Sequence, residues 1–203
     1  MSSPALAPDT RPDSAVETPA RILRAAEACI RRWGIRRVSM NDVAREAGCS
    51  RGSVYRYFPD RDALVQAVLT QVSERTIADA EPAVRRRRTL GAKVAEAAVF
   101  VRGLVDEERT LDLDAHGEAT LAALRLAEDP RMFARWVDFW IPFLEESRRS
   151  GEIRADLDLR RASEWIMRML VSLVTVPSIT VDLDDETQVR RFVEDHLVRG
   201  FRD

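Results

Sequence analysis

Residues 38–64 read VSMNDVAREAGCSRGSVYRYFPDRDAL, and this stretch decides how the whole chain is read. Ser39 stands before a run of periodic apolar residues, with Asp42 three positions on. That pairing is close to a capping box and predicts a helix over 40–47 that stops at Gly48. Ser50 then caps a short helix over 51–57, Pro59 ends it, and Asp60 caps the next. Only Gly48, Cys49 and Ser50 separate the first two helices. So short a turn forces a steep crossing, and glycine supplies the left-handed backbone that the turn needs. Ala44 is small where the helices approach, and Val43, Ala47, Val54 and Phe58 supply apolar contacts between them. Arg51, Ser53, Tyr55, Arg56 and Tyr57 are left to project outward.

Working outward, Ile22, Leu23, Ala26, Cys29, Ile30 and Trp33 recur at helical steps before Gly34, which predicts a preceding helix. The helix capped by Asp60 carries Leu64, Ala67, Val68, Gln71 and Val72 and is expected to end at Pro82. Five further helices are expected near 89–107, 115–128, 130–149, 158–176 and 185–202. Only 175–181 looks strand-like, and Pro177 interrupts it. The fold class is all-α with about nine helices. Residues 1–18 are expected to be a disordered tail, rich in Pro, Ser, Ala and Asp. A three-helix helix-turn-helix domain is expected over 19–65, with its connecting helix running to about 81. Residues 82–203 form a C-terminal helical domain.

Charge is distributed unevenly. The 203 residues carry a net charge of −2, which by itself argues against nonspecific nucleic-acid binding. Yet 19–61 holds ten arginines against Glu27, Asp42, Glu46 and Asp60, so a basic head sits on an acidic remainder. Lys93 is the one lysine of the chain. With 45% hydrophobic and 33% charged residues, the composition excludes disordered and fibrous classes. The longest uncharged apolar run, 169–181, is too short to span a membrane, so no membrane partner is expected. Pro4, Pro8, Asp9, Pro12 and Asp13 break any signal-peptide core. Two cysteines make no disulfide framework, and a cytoplasmic location is expected.

The 38–64 stretch strongly resembles the DNA-binding domain of TetR-type transcriptional regulators, and with the helix ending Trp33-Gly34 the likeness covers about 20–70. The resemblance implies a homodimeric repressor whose two heads occupy successive major grooves of a near-palindromic double-stranded DNA operator. Carried over position by position, Arg51, Gly52, Ser53, Tyr55, Arg56 and Tyr57 match recognition-helix contacts. Ser39, Ser50 and Arg61 match phosphate-contacting positions. This chain departs from the family's usual residues at 56, 57 and 61, so its operator sequence is its own. Phe58 reads as core, Arg36 and Arg37 as a solvated turn, and Arg85–Arg88 as a solvated charge run.

The rest of the chain carries no catalytic constellation. His116 and His196 stand far apart without a cysteine pair at metal-ligand spacing, and no phosphate loop or nucleophile elbow occurs. No catalytic residue, cofactor or metal is expected. Asp182, Asp184, Asp185 and Glu186 read as helix capping. Cys49 reads as an ordinary small turn residue and Cys29 as buried. Aromatics crowd one helix, and the resemblance makes an apolar ligand cavity the expected use of Phe100, Met132, Trp136, Phe139, Trp140, Phe143, Trp165 and Met169. Pro142 is expected to kink that helix. The last two long helices, by the same resemblance, pair with those of a second copy. Two competing readings are a small-molecule-binding or enzymatic helical protein with a vestigial head, and a nonspecific DNA-coating protein. The charged recognition helix and absent catalytic cluster disfavour the first, the acidic body the second.

Overall fold

The computed structural model describes residues 17–109, 115–197 and 199–202. Among these the chain forms α1 (Glu17–Trp33), α2 (Met40–Glu46), α3 (Arg51–Tyr57), α4 (Arg61–Arg85), α5 (Leu90–Arg109), α6 (Ala115–Glu128), α7 (Pro130–Arg149), α8 (Leu159–Thr175) and α9 (Glu186–Phe192). No strand occurs among the described residues, and the strand-like 175–181 is a run of turns and bends. Of the expected tail, 1–16 lie outside the described residues, while Glu17 and Thr18 open α1. The chain divides into two compact units, one up to Val68 and one from Leu69 on, so the division falls inside α4.

The first unit is built by three short amphipathic helices and the start of α4. Ile22, Ala26 and Cys29 of α1 are buried at helical spacing, while Arg24, Arg31 and Arg32 stay outside. Burial, more than the nearby carboxylates of Glu46 and Asp42, pushes the Cys29 thiol pKa up, leaving it inert. Val43, Val54, Leu64 and Val65 complete this core, and α2 packs on both α1 and α3. Gly48 adopts φ +61, a left-handed turn that a side chain would strain.

The second unit packs α5, α7 and α8 around Trp140, Phe143, Leu144, Ile166 and Leu170. Asp129 caps α7 by accepting from the amides of Arg131 and Met132, and Asp158 caps α8 through those of Arg160 and Arg161. The Ser163 hydroxyl donates to the Val137 carbonyl where α8 meets α7. Burial pushes the Glu96 carboxyl up, but hydrogen bonds from Arg190 of α9 and from Arg87 outweigh it and hold it below the usual carboxylate range. The arginine run ahead of α5 is thus partly engaged, since Arg85 also lies 5.0 Å over the Phe143 ring. Arg102 of α5 is 4% exposed and donates to the carbonyls of Leu183 (3.2 Å) and Leu173 (3.4 Å) and to Asp184 (2.7 Å). Lys93 is likewise 4% exposed, with Nζ 3.6 Å from a Glu146 carboxylate oxygen.

Two helix ends differ from the sequence expectation. Pro82 does not end α4, which continues to Arg85. The N–H that proline lacks is offset by full burial of Val84 in the next turn and by the Glu81–Arg85 pair. The last helix does not run unbroken over 185–202. It ends at Phe192, widens to a π-turn over Val193–Leu197 and tightens to a 3-10 turn over Arg199–Phe201. The change of pitch seats Phe201 in the core, where its carbonyl accepts from the Arg154 amide at 2.9 Å. Pro142 lies on an exposed position inside an unbroken α7.

Candidate nucleic-acid interface and ligand cavity

The Ser39 hydroxyl caps α2, accepting from the Asp42 amide at 3.2 Å and donating to the Asp42 carboxylate. That hydrogen bond, then Arg45, holds the Asp42 carboxyl below its ordinary value. Ser50 caps α3 through the Ser53 amide at 3.1 Å. The short α3 is anchored by Val54, which is fully buried, and presents Arg51, Gly52, Tyr55 and Arg56 to solvent, with Ser53 and Tyr57 half-buried. Phe58 is half-buried beside them.

Both outward arginines of α3 lie on tyrosine rings. Arg51 sits 5.2 Å over the Tyr55 ring and donates to its hydroxyl at 3.1 Å. Arg56 sits 4.9 Å over Tyr57 and donates to that hydroxyl at 3.1 Å. Each planar cation is thus partly ordered before any anion arrives, which lessens the side-chain entropy lost on docking. Gly52 carries a separate clue. A Cβ there would meet only the Ser50 hydroxyl oxygen, at an ordinary 3.7 Å. Nothing inside the fold requires glycine at that position, although glycine weakens a helix. A surface that approaches from outside would account for it.

Arg61 is placed differently from the phosphate contact expected of it. Its Nε donates to the Val38 carbonyl at 2.9 Å, another guanidinium nitrogen donates to the Ile35 carbonyl, and a third faces Asp62 at 3.0 Å. Its fork points inward because the loop between α1 and α2 leaves two carbonyls at the start of α4. Arg61 therefore braces the framework. Two residues absent from the sequence expectation lie beside the candidate interface. Thr18 and Arg21 of α1 share one polar depression with Ser50, Ser53, Arg56 and Tyr57.

The second unit holds a solvent-open, largely apolar pocket with a cavity volume of about 220 Å³. Its wall takes Leu69, Val72, Ser73, Thr76, Ile77 and Ala80 from α4. Trp136, Phe139 and Trp140 come from α7, and Met167, Leu170, Val171 and Val174 from α8, with residues of α5 and α6 closing the rest. The Trp136 indole N–H donates to the Ser73 hydroxyl at 2.7 Å, and that of Trp140 to the Met167 thioether at 3.2 Å.

Of the eight candidates named from sequence, five stand elsewhere. Met132 and Phe143 are consumed by the core, each 2% exposed. Trp165 faces outward at 46% exposure, Met169 packs against the core cluster, and Phe100 is half-buried off the cavity wall. One helical face cannot serve core and cavity together, and the aromatic stripe of α7 is divided between them. The α4 wall was missed because its spacing is that of any packed helix. Among the described residues no group of three His, Cys, Asp or Glu is placed to hold a metal. No described helix is long and apolar enough to cross a membrane.

Residues 22–68 match the model of the bacterial regulatory proteins of the tetR family. An uncharacterized HTH-type transcriptional regulator of Mycobacterium tuberculosis is 27% identical over 188 residues, covering 85% of this chain and 82% of that one. The HTH-type transcriptional regulator UidR of Escherichia coli is 24% identical over 196 residues, 92% of each chain. The transcriptional regulator FadR of Bacillus subtilis, solved in complex with stearoyl-CoA, superposes with a TM-score of 0.63 at 21% identity, covering 89% of this chain and 98% of that one.

Proposed function

Since the chain belongs to the TetR family of bacterial regulatory proteins, we propose that it is a homodimeric repressor released from a near-palindromic operator by a small, mainly apolar ligand. The observation that carries this reading is α3. It is pinned by one buried valine and offers two arginines, a tyrosine and an unneeded glycine to a major groove. Residues 19–65 serve as the DNA-binding domain and 82–203 as the ligand and dimer domain. In this reading Ser39, Ser50, Ser53, Tyr57 and Arg21 face phosphates, and Arg51, Gly52, Tyr55 and Arg56 face the groove. α4 connects the two roles, because Arg61 braces the head while Leu69 to Ala80 wall the cavity. A ligand that shifts α4 changes the operator fit, and such coupling amounts to about 1–3 kcal/mol.

The test begins by selecting bound sequences from a random DNA pool. On the selected operator, Arg51→Ala and Tyr55→Ala are each expected to weaken binding by about 1–3 kcal/mol and to relax the sequence preference at one position. Arg61→Ala should instead lower thermal stability by about 2 kcal/mol, the value of hydrogen bonds from a charged donor. Unchanged affinity in folded Arg51 and Tyr55 variants rejects the docking of α3.

The dimer face is proposed on α8 and α9, where Trp165 (46%), Phe192 (36%) and, just past the end of α8, Val176 (58%) remain exposed in a single chain. Removing everything after about Ser150 would not test it, because Ile166, Leu170 and Val189 belong to the core itself. A point change does. Trp165→Glu should sediment as a folded monomer, whereas an intact dimer would place the interface elsewhere.

A further inference from the structure

We propose that the cavity takes an uncharged, largely apolar molecule of about ten non-hydrogen atoms with a single oxygen, an alcohol or ketone and not an acid. The proposal rests on reading the second unit as the ligand-sensing one. Size follows from volume: an apolar cavity of about 150 Å³ accepts benzene, so the present one, at about 220 Å³, accommodates a few more atoms.

The absence of charge follows from the wall. No Asp, Glu, Lys, Arg or His is among the described residues that line it. Three described cations on its helices are committed elsewhere. Arg102 of α5 serves two carbonyls and Asp184, Arg135 of α7 pairs with Glu74, and Arg168 of α8 pairs with Glu164 at 2.6 Å. Among the described residues a carboxylate entering this wall finds no counter-charge, so it must shed its charge first. For an acid of pKa about 4.5 at about pH 7.5, that requirement weakens binding roughly a thousandfold.

The single oxygen follows from three neutral donors set in the apolar surface. Ser73, 5% exposed, already accepts the Trp136 N–H, so its own proton is left to donate. Thr76 lies one turn further along the same wall, and its hydroxyl makes no hydrogen bond among the described residues. The Trp140 N–H rests on a thioether, a weak acceptor that an oxygen displaces. An alcohol or carbonyl oxygen can accept from a donor on this wall, which a hydrocarbon cannot.

Octan-1-ol and octanoate, equal in length and different in charge, make the test. Each is titrated into the full-length chain by calorimetry without DNA. Octan-1-ol is expected to bind at least about a hundredfold more tightly at about pH 7.5. Octanoate affinity should rise about tenfold per unit fall in pH while that of octan-1-ol stays level. Thr76→Val and Ser73→Ala should each weaken octan-1-ol about threefold to tenfold, the value of one hydrogen bond. Octanoate binding within tenfold of octan-1-ol and level with pH overturns the proposal. So does the lack of octan-1-ol binding by a chain that melts normally. Operator release is measured separately. Octan-1-ol bound without any change in operator affinity overturns the ligand-responsive reading and leaves the chemistry of the cavity standing.

Discussion

Replacing Trp140 by alanine is expected to lower the stability of the chain by about 3–5 kcal/mol, at the upper end for a single change. Trp140 is 1% exposed. Its ring meets Phe139 edge-on at 5.2 Å and Phe143 at 5.7 Å, and its N–H rests on the Met167 thioether, so truncation removes three partners at once. The void would adjoin an existing cavity, and neighbours already facing empty space relax little toward a new hole. Trp136 behaves differently. It is half-buried and its ring pairs only with Phe133, at 6.3 Å. Trp136→Phe should cost only about 1.5 kcal/mol, the size of the one hydrogen bond it gives up to Ser73. Denaturant melts decide the matter. A midpoint shift at constant slope measures the loss, and a loss under about 1.5 kcal/mol for Trp140→Ala would remove that residue from the core.

Arg102→Met should be nearly as damaging, at about 2–4 kcal/mol. Methionine keeps most of the apolar stem, so the loss isolates the guanidinium. Without it the Leu173 and Leu183 carbonyls lose their donor and Asp184 loses its partner. Asp184 keeps its hydration, since its side chain is 51% exposed, and this keeps the loss below that of a stranded buried charge. Arg102→Lys should recover less than half, because one ammonium cannot span acceptors on α8 and on the segment leading into α9. Amide exchange is the discriminating measurement. The Val189 amide, bonded to the Asp185 carbonyl at 3.0 Å, should exchange faster in Arg102→Met than in a surface control. A stability loss under about 1 kcal/mol would mean the three acceptors find water instead.

The head was legible because its signals are local. Ser39 and Ser50 cap helices within three residues of the amides they bind, and Gly48 declares its own turn. Arg61 shows where locality ends. Its carbonyl partners lie 23 and 26 positions upstream, and at the start of a helix an inward arginine has the same sequence signature as an outward one. The cavity was less legible still. It is assembled from five helices, and Ser73 and Thr76 look from sequence like surface positions of α4. The aromatic stripe of α7 indicated which helix mattered. It did not separate Trp136, which walls the cavity, from Met132 and Phe143, which fill the core, because that division is set by what α5 and α8 bring against each turn. Pro82 misled for the same reason, since the burial of Val84 that carries α4 past it is a tertiary fact.

The one lysine of the chain has a chemical consequence. Every other basic side chain apart from the two histidines is an arginine, and Lys93 is sunk at 4% exposure with its ammonium beside Glu146. Acetyl transfer to amines, the usual enzymatic means of erasing positive charge, finds no amine side chain anywhere in the basic head. Guanidinium groups also stay protonated at every physiological pH. The positive charge of the head is therefore carried by arginine alone and lies beyond the reach of lysine acetylation. Amine-directed crosslinkers would leave this head unmarked, and a dicarbonyl reagent selective for arginine is the footprinting chemistry suited to it.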